Sequence, residues 1–322
     1  MSRRGFVKGM GAAAAAATLA GYLPGPRSTR AVARDGGKLH FGVHTHPQNT
    51  TYADVARAWE DADELGLDSA FVFDHFMPIR SDPNGPCLEG WTLLSALATR
   101  TKRVKVGVLV TGNTYRFPAV LAKMAATVDH LSNGRLILGM GAGWFELEHT
   151  AYGIPFYTAG ERARRLVEAV EVVKRLMTQE TTTYAGKYYQ LKDAPFAPKT
   201  VQRPHPPILI GGMGPKVIQP LAARHADIWH FFPGDDPDAV KRLCDAFDAI
   251  CHKVGRDPAA VEKSISVRAE DVAGKPAKEV RERLGALAKA GVGYFILSLS
   301  PPFDLKALRT FAKDVVPGMR EA

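Results

Sequence analysis

Eight short apolar segments follow one another along the chain, and each is followed by a longer amphipathic segment. The apolar segments are five to seven residues long and rich in Val, Ile and Phe, as expected of parallel strands buried on both faces. Eight strand–helix units within roughly 290 residues predict a (β/α)8 TIM barrel. The predicted strands are residues 39–44, 69–74, 104–110, 135–141, 207–212, 228–232, 264–269 and 294–299, and the predicted helices are residues 51–65, 93–101, 118–131, 159–178, 215–224, 237–254, 276–290 and 305–314.

A doubly wound open sheet is the alternative architecture for such an alternation. The number of units is one argument against it, because eight units suffice to close a barrel. The chain also lacks an early Gly-x-Gly-x-x-Gly motif, which is typical of dinucleotide-binding open sheets. Both observations favour the barrel.

One long connection interrupts the regular spacing. The fourth predicted strand ends near residue 141, whereas the fifth begins near residue 207. Within this connection, residues 181–191 predict a β-hairpin that turns at Ala185-Gly186. We therefore expect an insertion between strands 4 and 5, which could cover the mouth of the barrel.

The N-terminus has the three parts of an export signal. Arg3 and Arg4 precede an apolar, alanine-rich stretch at residues 10–23, and Ala31-Val32-Ala33 offers a small-residue cleavage site. We predict a twin-arginine signal peptide at residues 1–33 and a barrel domain at residues 34–322, with export to the periplasm or cell envelope. An ordinary secretory signal or an uncleaved anchor is the alternative.

Charge and cysteine content exclude several function classes. The net charge is +9, and removal of the five positive charges within the signal leaves +4, which is too mild for a nucleic-acid-binding protein. No later segment is apolar and long enough to cross a membrane. The three cysteines include Cys244 and Cys251, about 10 Å apart along a predicted helix, which is too far for a disulfide.

The active site of such a barrel lies at the C-terminal ends of its strands. Asp74-His75 follows the second predicted strand, and a histidine there can exchange a proton near neutral pH. His44-Thr45-His46 follows the first strand and suggests a metal-dependent hydrolase instead. That site would also need histidines on strands 5 and 6 and an aspartate on strand 8, and only His230 fits, so we predict no metal.

Two glycine-rich loops follow predicted strands. Residues 211–215 (Gly-Gly-Met-Gly-Pro) come directly before a predicted helix, where backbone N–H groups and the helix dipole favour a phosphate. Residues 139–144 (Gly-Met-Gly-Ala-Gly-Trp) show a similar alternation, which would also let a flat ring lie against the backbone. A tight turn is the alternative explanation for the first loop.

Taken together, these segments resemble the bacterial luciferase-like family and, within it, the oxidoreductases that depend on the deazaflavin coenzyme F420. The resemblance covers roughly residues 39–318. It is specific for the family and less so for the cofactor, because flavin mononucleotide (FMN) enzymes share the barrel. The matching segments are residues 71–76, 107–119, 131–144 and 207–212.

The resemblance implies roles for individual residues. His75 corresponds to the catalytic histidine and Asp74 to an aspartate that contacts the deazaflavin. Leu109-Val110 falls where the family has a non-proline cis peptide behind the central ring. The backbone of Met213 and Gly214 corresponds to the cofactor phosphate site, and the predicted cofactor-binding set also includes Leu109, Val110, Thr111, Asn113, Gly141 and Gly212.

The chain departs from the sugar-phosphate dehydrogenase branch at two positions. Trp144 stands where that branch has a glutamate, and Ile79 stands where it has a tryptophan. We include Trp144 with His75 in the predicted catalytic set, and Glu146 and Glu148 are the alternatives for the second proton donor. The basic residues that would hold a sugar phosphate are not identifiable, which argues against that substrate.

The sequence thus predicts an exported F420-dependent oxidoreductase. It would transfer a hydride between the deazaflavin ring and a small-molecule alcohol, ketone or activated alkene, such as a cell-envelope metabolite, and the family resemblance implies a homodimer. One alternative is an FMN-dependent monooxygenase fed by a reductase. The other is an exported barrel that binds a ligand or cofactor without turnover.

Overall fold

The parallel strands form a closed barrel, with the helices packed outside it. A computed structural model of the chain describes residues 38–79 and 81–321, so the predicted signal peptide lies outside the described residues. The strands in chain order are β1 His40–Thr45, β2 Ser69–Val72, β3 Lys105–Val108, β4 Thr111–Gly112, β5 Leu136–Gly141, β6 Thr181–Ala185, β7 Gln190–Pro195, β8 Ile208–Gly211, β9 Ile228–Phe231, β10 Glu262–Arg268 and β11 Tyr294–Leu299.

Strand pairing confirms the (β/α)8 prediction. β1 pairs in parallel with β2 and with β11, and the order continues through β10, β9, β8 and β5. The β3–β5 pairing closes the circle, so the open-sheet alternative is not formed. β3 and β4 are two parts of the third barrel strand, which is interrupted at Leu109 and Val110. The predicted strand, residues 104–110, includes β3 and the interruption and ends before β4.

The helices alternate with the strands, as the periodicity predicts. α3 and α5 have the predicted bounds, the other predicted helices shift by a few residues at their ends, and α4 and α10 lie outside the predicted set. The helices are α1 Tyr52–Glu64, α2 Gly90–Arg100, α3 Pro118–Leu131, α4 Glu146–Ala151, α5 Ala159–Thr178, α6 Ile218–His225, α7 Pro237–Lys253, α8 Ala277–Lys289, α9 Leu305–Thr310 and α10 Val316–Arg320, with a π-helical turn at Phe311–Val315.

Local hydrogen bonds explain where the helix predictions were wrong. α2 starts three residues earlier than predicted because the Glu89 carboxylate accepts hydrogen bonds from the backbone N–H groups of Trp91 and Thr92, which makes Glu89 the N-cap. α6 starts three residues later because Pro215 to Val217 form a turn before it. The short helix α4 was not predicted at all.

Apolar side chains fill the interior of the barrel. Phe71, Ile137, Leu209 and Ile296 belong to a buried apolar cluster inside it, separate from the larger core between sheet and helices. This filling is typical of the fold, in which the barrel is a packed core rather than a pore. Space for a ligand is therefore left at the C-terminal ends of the strands.

The predicted insertion is present as the antiparallel hairpin β6–β7. Its tip is anchored on α5, where the Glu168 carboxylate accepts hydrogen bonds from the backbone N–H groups of Lys187, Tyr188 and Tyr189 at 2.9–3.1 Å. None of its residues lines the cavity described below. The hairpin lies against α5, and the expectation that the insertion could cover the barrel mouth stays a prediction.

Two further features concern the described part of the chain. Cys87, Cys244 and Cys251 are all free thiols. Among residues 38–79 and 81–321, no helix is both long enough and apolar enough to cross a membrane.

Candidate active site

A cavity of about 270 Å³ opens at the C-terminal ends of the barrel strands. Its volume is close to the lower end of the range for small-molecule pockets, about 300 Å³. Segments that follow five barrel strands contribute to its wall. It is lined by Asp74, His75, Leu109, Val110, Thr111, Gly112, Tyr115, Gly141, Ala142, Gly143, Trp144, Gly211, Gly212, Ile218, His230 and Phe232.

A larger cleft of about 610 Å³ lies beside α1, at residues 49–57 and 301–305. Its charged side chains, Asp54 and Arg57, are exposed. It contains none of the predicted site residues, whereas the smaller cavity brings together strand ends and buried ionisable groups. The smaller cavity is therefore the candidate active site.

Val110 forms part of the cavity wall. The Leu109–Val110 peptide bond is cis, as the resemblance implies. A Cβ atom on Gly141 would lie 2.5 Å from Cγ2 of Val110, and one on Gly211 would lie 3.1 Å from the same side chain. Glycine is needed at these strand ends because the Val110 side chain occupies the space.

His75 is held in place by a buried carboxylate. Its Nδ1 lies 2.6 Å from Oε1 of Glu148, and the other oxygen of Glu148 accepts a hydrogen bond from the backbone N–H of Phe76 at 2.8 Å. Burial raises the pKa of Glu148, but the bonds from His75, Phe76 and Tyr115 outweigh it, so the net pKa is lowered and the carboxylate stays ionised.

Tyr115 is the third partner of this carboxylate. Its hydroxyl donates a hydrogen bond to Oε1 of Glu148, and burial together with that carboxylate raises the pKa of Tyr115. With Nδ1–H directed to Glu148, Nε2 of His75 is the nitrogen left for a substrate, and no group among residues 38–79 and 81–321 bonds to it. The arrangement can accept or donate one proton at Nε2.

Asp74 is engaged in a buried ion pair. Arg116 donates to both oxygens of Asp74, at 2.6 and 3.0 Å, and also to Glu89 at 3.0 Å. The Asp74 carboxylate accepts a further bond from the backbone N–H of Gly112 at 3.0 Å. Burial raises the pKa of Asp74, and Arg116 acts against this by stabilising the charged form.

His230 is the second histidine of the cavity wall. Its Nδ1 lies 2.9 Å from Oγ of Ser264, and Oγ of Ser266 lies 3.4 Å from Nε2. Burial lowers the pKa of His230 to about 3, which keeps the imidazole neutral near pH 7. His230 is therefore a neutral polar group of the wall and does not carry a positive charge.

Two exposed aromatic side chains line the same cavity. Trp144 is 59% exposed and Phe232 is 62% exposed. Trp144 packs edge-to-face on His75, with ring centroids 5.7 Å apart, and Phe232 packs in the same way on His230, at 5.0 Å. Each histidine thus has an aromatic neighbour on the solvent side of the wall.

Comparison with known proteins identifies the family. The model of the luciferase-like monooxygenase family matches residues 38–311. The chain belongs to the luciferase-like monooxygenase family. This confirms the resemblance to the luciferase-like family that the sequence motifs indicate.

The names of the curated relatives mention different cofactors. The chain is similar to the F420-dependent glucose-6-phosphate dehydrogenases of Kineococcus radiotolerans (36% identical over 238 residues; 72% of this chain and 68% of that protein) and Microbacterium testaceum (35% over 209 residues; 64% and 61%). It is also similar to the FMNH2-dependent dimethylsulfone monooxygenase of Pseudomonas putida (33% over 157 residues; 49% and 42%). The chain thus spans between 42% and 68% of the length of these three relatives.

Solved structures agree on the fold. An F420-dependent secondary alcohol dehydrogenase in complex with an F420–acetone adduct superposes with a TM-score of 0.77 at 22% identity, covering 88% of this chain and 99% of that one. The F420-dependent tetrahydromethanopterin reductase of Methanopyrus kandleri gives 0.74 at 19% identity, with coverage of 88% and 99%. Both share the (β/α)8 barrel fold of this chain.

The structure brings most of the predicted luciferase-like site residues together, but not all. Asn113 is buried outside the cavity wall and donates through Nδ2 to the Tyr189 hydroxyl at 3.2 Å, which ties the hairpin to the barrel. Met213 and Gly214 lie on the exposed loop before α6, beyond the wall. The predicted residues that line the cavity are Asp74, His75, Leu109, Val110, Thr111, Gly141, Trp144 and Gly212.

The His44-x-His46 motif lies at the end of β1, outside this wall. Nε2 of His46 lies 3.0 Å from the hydroxyl of Ser298, which lies on β11. Nδ1 of His46 lies 3.3 Å from the hydroxyl of Ser300, which directly follows β11. In the described part of the chain, no group of three or more His, Cys, Asp or Glu side chains is arranged to hold a metal.

Sequence reasoning did not find the partners of the two central residues. The sequence suggests Glu148 only as an alternative for the second proton donor, yet its carboxylate bonds to His75. Tyr115 and Arg116 lie within a matched family segment, but no role was given to them. A buried aspartate requires a positive partner, and this rule would have directed attention to Arg116, a few residues beyond the third strand.

Proposed function

We propose that the protein is an F420-dependent oxidoreductase that transfers a hydride between the deazaflavin ring and an alcohol, a ketone or an activated alkene. The observation that carries the proposal is the buried His75–Glu148 pair, which presents one imidazole nitrogen at a cavity of the luciferase-like barrel. The similarity to F420-dependent dehydrogenases supports the choice of cofactor. Both the activity and the substrate class are proposals for this chain.

The cavity residues fit a flat ring. Gly141 and Gly211 add no side chains beside Val110, since a Cβ atom at either position would meet the Val110 side chain. The deazaflavin ring would lie against these residues, with Thr111 and Asp74 beside it. The backbone of Met213 and Gly214, on the loop beyond the wall, would hold the cofactor phosphate.

The chain's own groups handle the proton. When bound, F420 supplies a ring carbon that exchanges a hydride with the substrate carbon. In the oxidative direction Nε2 of His75 takes the proton of the substrate hydroxyl, and the carbon–oxygen double bond forms as the C–H bond is lost. The ionised Glu148 stabilises the positive charge that His75 acquires. In the reductive direction His75 returns the proton to the oxygen.

Replacement of His75 tests this role. His75→Ala should lower kcat by about 100-fold or more, the usual contribution of a general acid–base, while the F420 affinity changes far less. F420 titration and steady-state kinetics measure the two quantities separately. Turnover that survives within a few-fold would show that His75 does not have the proposed role.

An FMN-dependent monooxygenase is the alternative that the Pseudomonas putida relative supports. Titration of the purified apo-protein with F420 and with FMN decides between the cofactors, and we expect F420 to bind more tightly. A third possibility is a barrel that binds cofactor without turnover. Cofactor binding with no oxidation or reduction of any alcohol, ketone or alkene would favour it.

We also propose that the protein is exported and acts on a small molecule in the cell envelope as a homodimer. The proposal of export rests on Arg3-Arg4 and the apolar stretch that follows, and that of dimerisation on the family resemblance. Replacing both arginines with lysine should retain the precursor inside the cell, which fractionation would detect. Analytical ultracentrifugation of the mature chain measures the oligomeric state, and a monomer would contradict the dimer.

A further inference from the structure

We infer that Trp144 and Phe232 form a substrate-binding pair, and that the substrate is an uncharged alcohol or ketone that carries an aromatic ring. The inference rests on the proposed function and names the class of substrate for that site. It differs from the sugar phosphate for which two of the relatives are named.

The first argument is exposure. In the described part of the chain, Phe232 at 62% and Trp144 at 59% are the two most exposed large hydrophobic side chains, and both line the cavity. Apolar surface that stays exposed is unfavourable compared with the same surface buried. Aromatic side chains left exposed around a concave site are typical of a surface that a ligand covers.

The second argument is the arrangement of apolar and polar groups. Trp144 contacts the ring of His75, and Phe232 contacts the ring of His230, both edge-to-face. An aromatic group and a polar imidazole therefore stand side by side at two places on the wall. A substrate with an aromatic body and one hydroxyl or carbonyl oxygen matches this pairing.

The third argument is charge. Among the described residues that line the cavity, none is Lys or Arg. Arg116 reaches the wall only through Asp74, and its guanidinium is bonded to Asp74 and Glu89. A phosphate ester would bring its negative charge close to Asp74 without a cationic partner from this wall, which is costly. His230 stays neutral and does not compensate.

Steady-state kinetics with F420 test the substrate class. We expect kcat/KM for 1-phenylethanol to exceed that for 2-propanol by about 10-fold or more, from burial of the aromatic ring. Trp144→Ala and Phe232→Ala should each reduce this ratio by about 10-fold. Tyr52→Ala is the matched control, because Tyr52 is an exposed aromatic on α1 outside the cavity, and it should leave the ratio unchanged.

Tryptophan fluorescence gives a readout that does not depend on turnover. The chain has four tryptophans, and Trp59, Trp91 and Trp229 are fully buried, so quenching by acrylamide reports mainly on Trp144. We expect 1-phenylethanol to protect this fluorescence from acrylamide and glucose 6-phosphate not to do so. Trp144→Phe should abolish most of the quenching and confirm the assignment.

The outcomes separate the inference from the proposed function. His75-dependent, F420-linked turnover of glucose 6-phosphate, with no preference for 1-phenylethanol over 2-propanol, would overturn the inference and leave the proposed function standing. Equal quenching of Trp144 with and without 1-phenylethanol would also overturn the inference. Failure of F420 to bind, or to react with any alcohol, ketone or activated alkene, would overturn the proposed function, even if 1-phenylethanol protects Trp144.

Discussion

Nδ1 of His75 lies 2.6 Å from Oε1 of Glu148, although the two residues are 73 positions apart in the sequence. One follows β2 and the other lies on α4, a helix of only six residues. The contact fixes which imidazole nitrogen carries the proton and directs the other toward the cavity. It gives the barrel mouth an acid–base group with a defined orientation.

Glu148→Gln tests this pairing. The amide can still accept the Phe76 N–H bond, but it does not stabilise a positive charge on His75, so kcat should fall by about 10- to 100-fold. The F420 affinity should change little, since Glu148 does not line the cavity. Glu146→Gln makes the same charge change on an exposed neighbour and should leave kcat unaltered. Equal losses in the two variants would contradict the positioning role.

His230 should make stability depend on pH. Its pKa of about 3 in the folded chain lies below the ordinary 6.5, so below pH 6.5 the unfolded chain binds the proton first and the free energy of unfolding falls. Between pH 7 and pH 5 the loss should reach up to about 2 kcal/mol. Urea denaturation at both pH values should show a smaller loss for His230→Gln. The same loss in the variant and the parent would be inconsistent with a buried neutral His230.

Replacement of Arg116 should lower the free energy of unfolding far more than replacement of an exposed arginine. Arg116→Leu leaves the buried Asp74 without its charged partner, and we expect it to lower the free energy of unfolding by about 3 kcal/mol or more. Arg100→Leu is the control, because the Arg100–Glu60 pair is largely exposed and its loss should cost about 0–1 kcal/mol. Urea denaturation at pH 7 measures both. Similar losses would refute a special role for the Asp74–Arg116 pair.

Gly141→Ala and Gly285→Ala should act in opposite directions. A Cβ atom at Gly141 would lie 2.5 Å from the Val110 side chain, so we expect destabilisation by about 1–3 kcal/mol. Gly285 has no neighbouring atom within 4 Å and lies within α8, where alanine should stabilise by about 0.5–1 kcal/mol. Thermal unfolding compares the two variants. Adding Val110→Ala should recover much of the loss at Gly141, and no recovery would show that Val110 is not the obstacle.

The barrel itself could be predicted because local signals mark its parts. α5 has the predicted bounds, since its apolar face has a clear helical period and Thr158 caps its start. β11 is a continuous apolar run that the pattern also identified with its observed bounds. α4 was missed because six residues are too few for a helical period to be recognised.

The candidate site could be predicted only in part. Asp74 and His75 follow directly after an apolar strand, so their position at the barrel mouth is a local property. The bond between His75 and Glu148 depends on how distant segments pack, which periodicity does not encode. The cis bond after Leu109 was expected from the family resemblance, whereas the strand pattern treated residues 104–110 as unbroken. Asn113 follows the same strand end, but its amide bonds to the hairpin residue Tyr189.

The interruption of the third barrel strand has one further consequence. The backbone N–H of Leu109 still bonds to the carbonyl of Val72 at 2.8 Å, but β4 pairs only with β5. Between the second and third strands, the next link in the described chain is the bond from the Gly112 N–H to the Asp74 carboxylate. A side chain thus substitutes for main chain in the hydrogen-bonded circumference of the barrel. The contact between the second and third barrel strands therefore includes an ionisable group at this point, and the strength of that contact depends on the protonation state of Asp74.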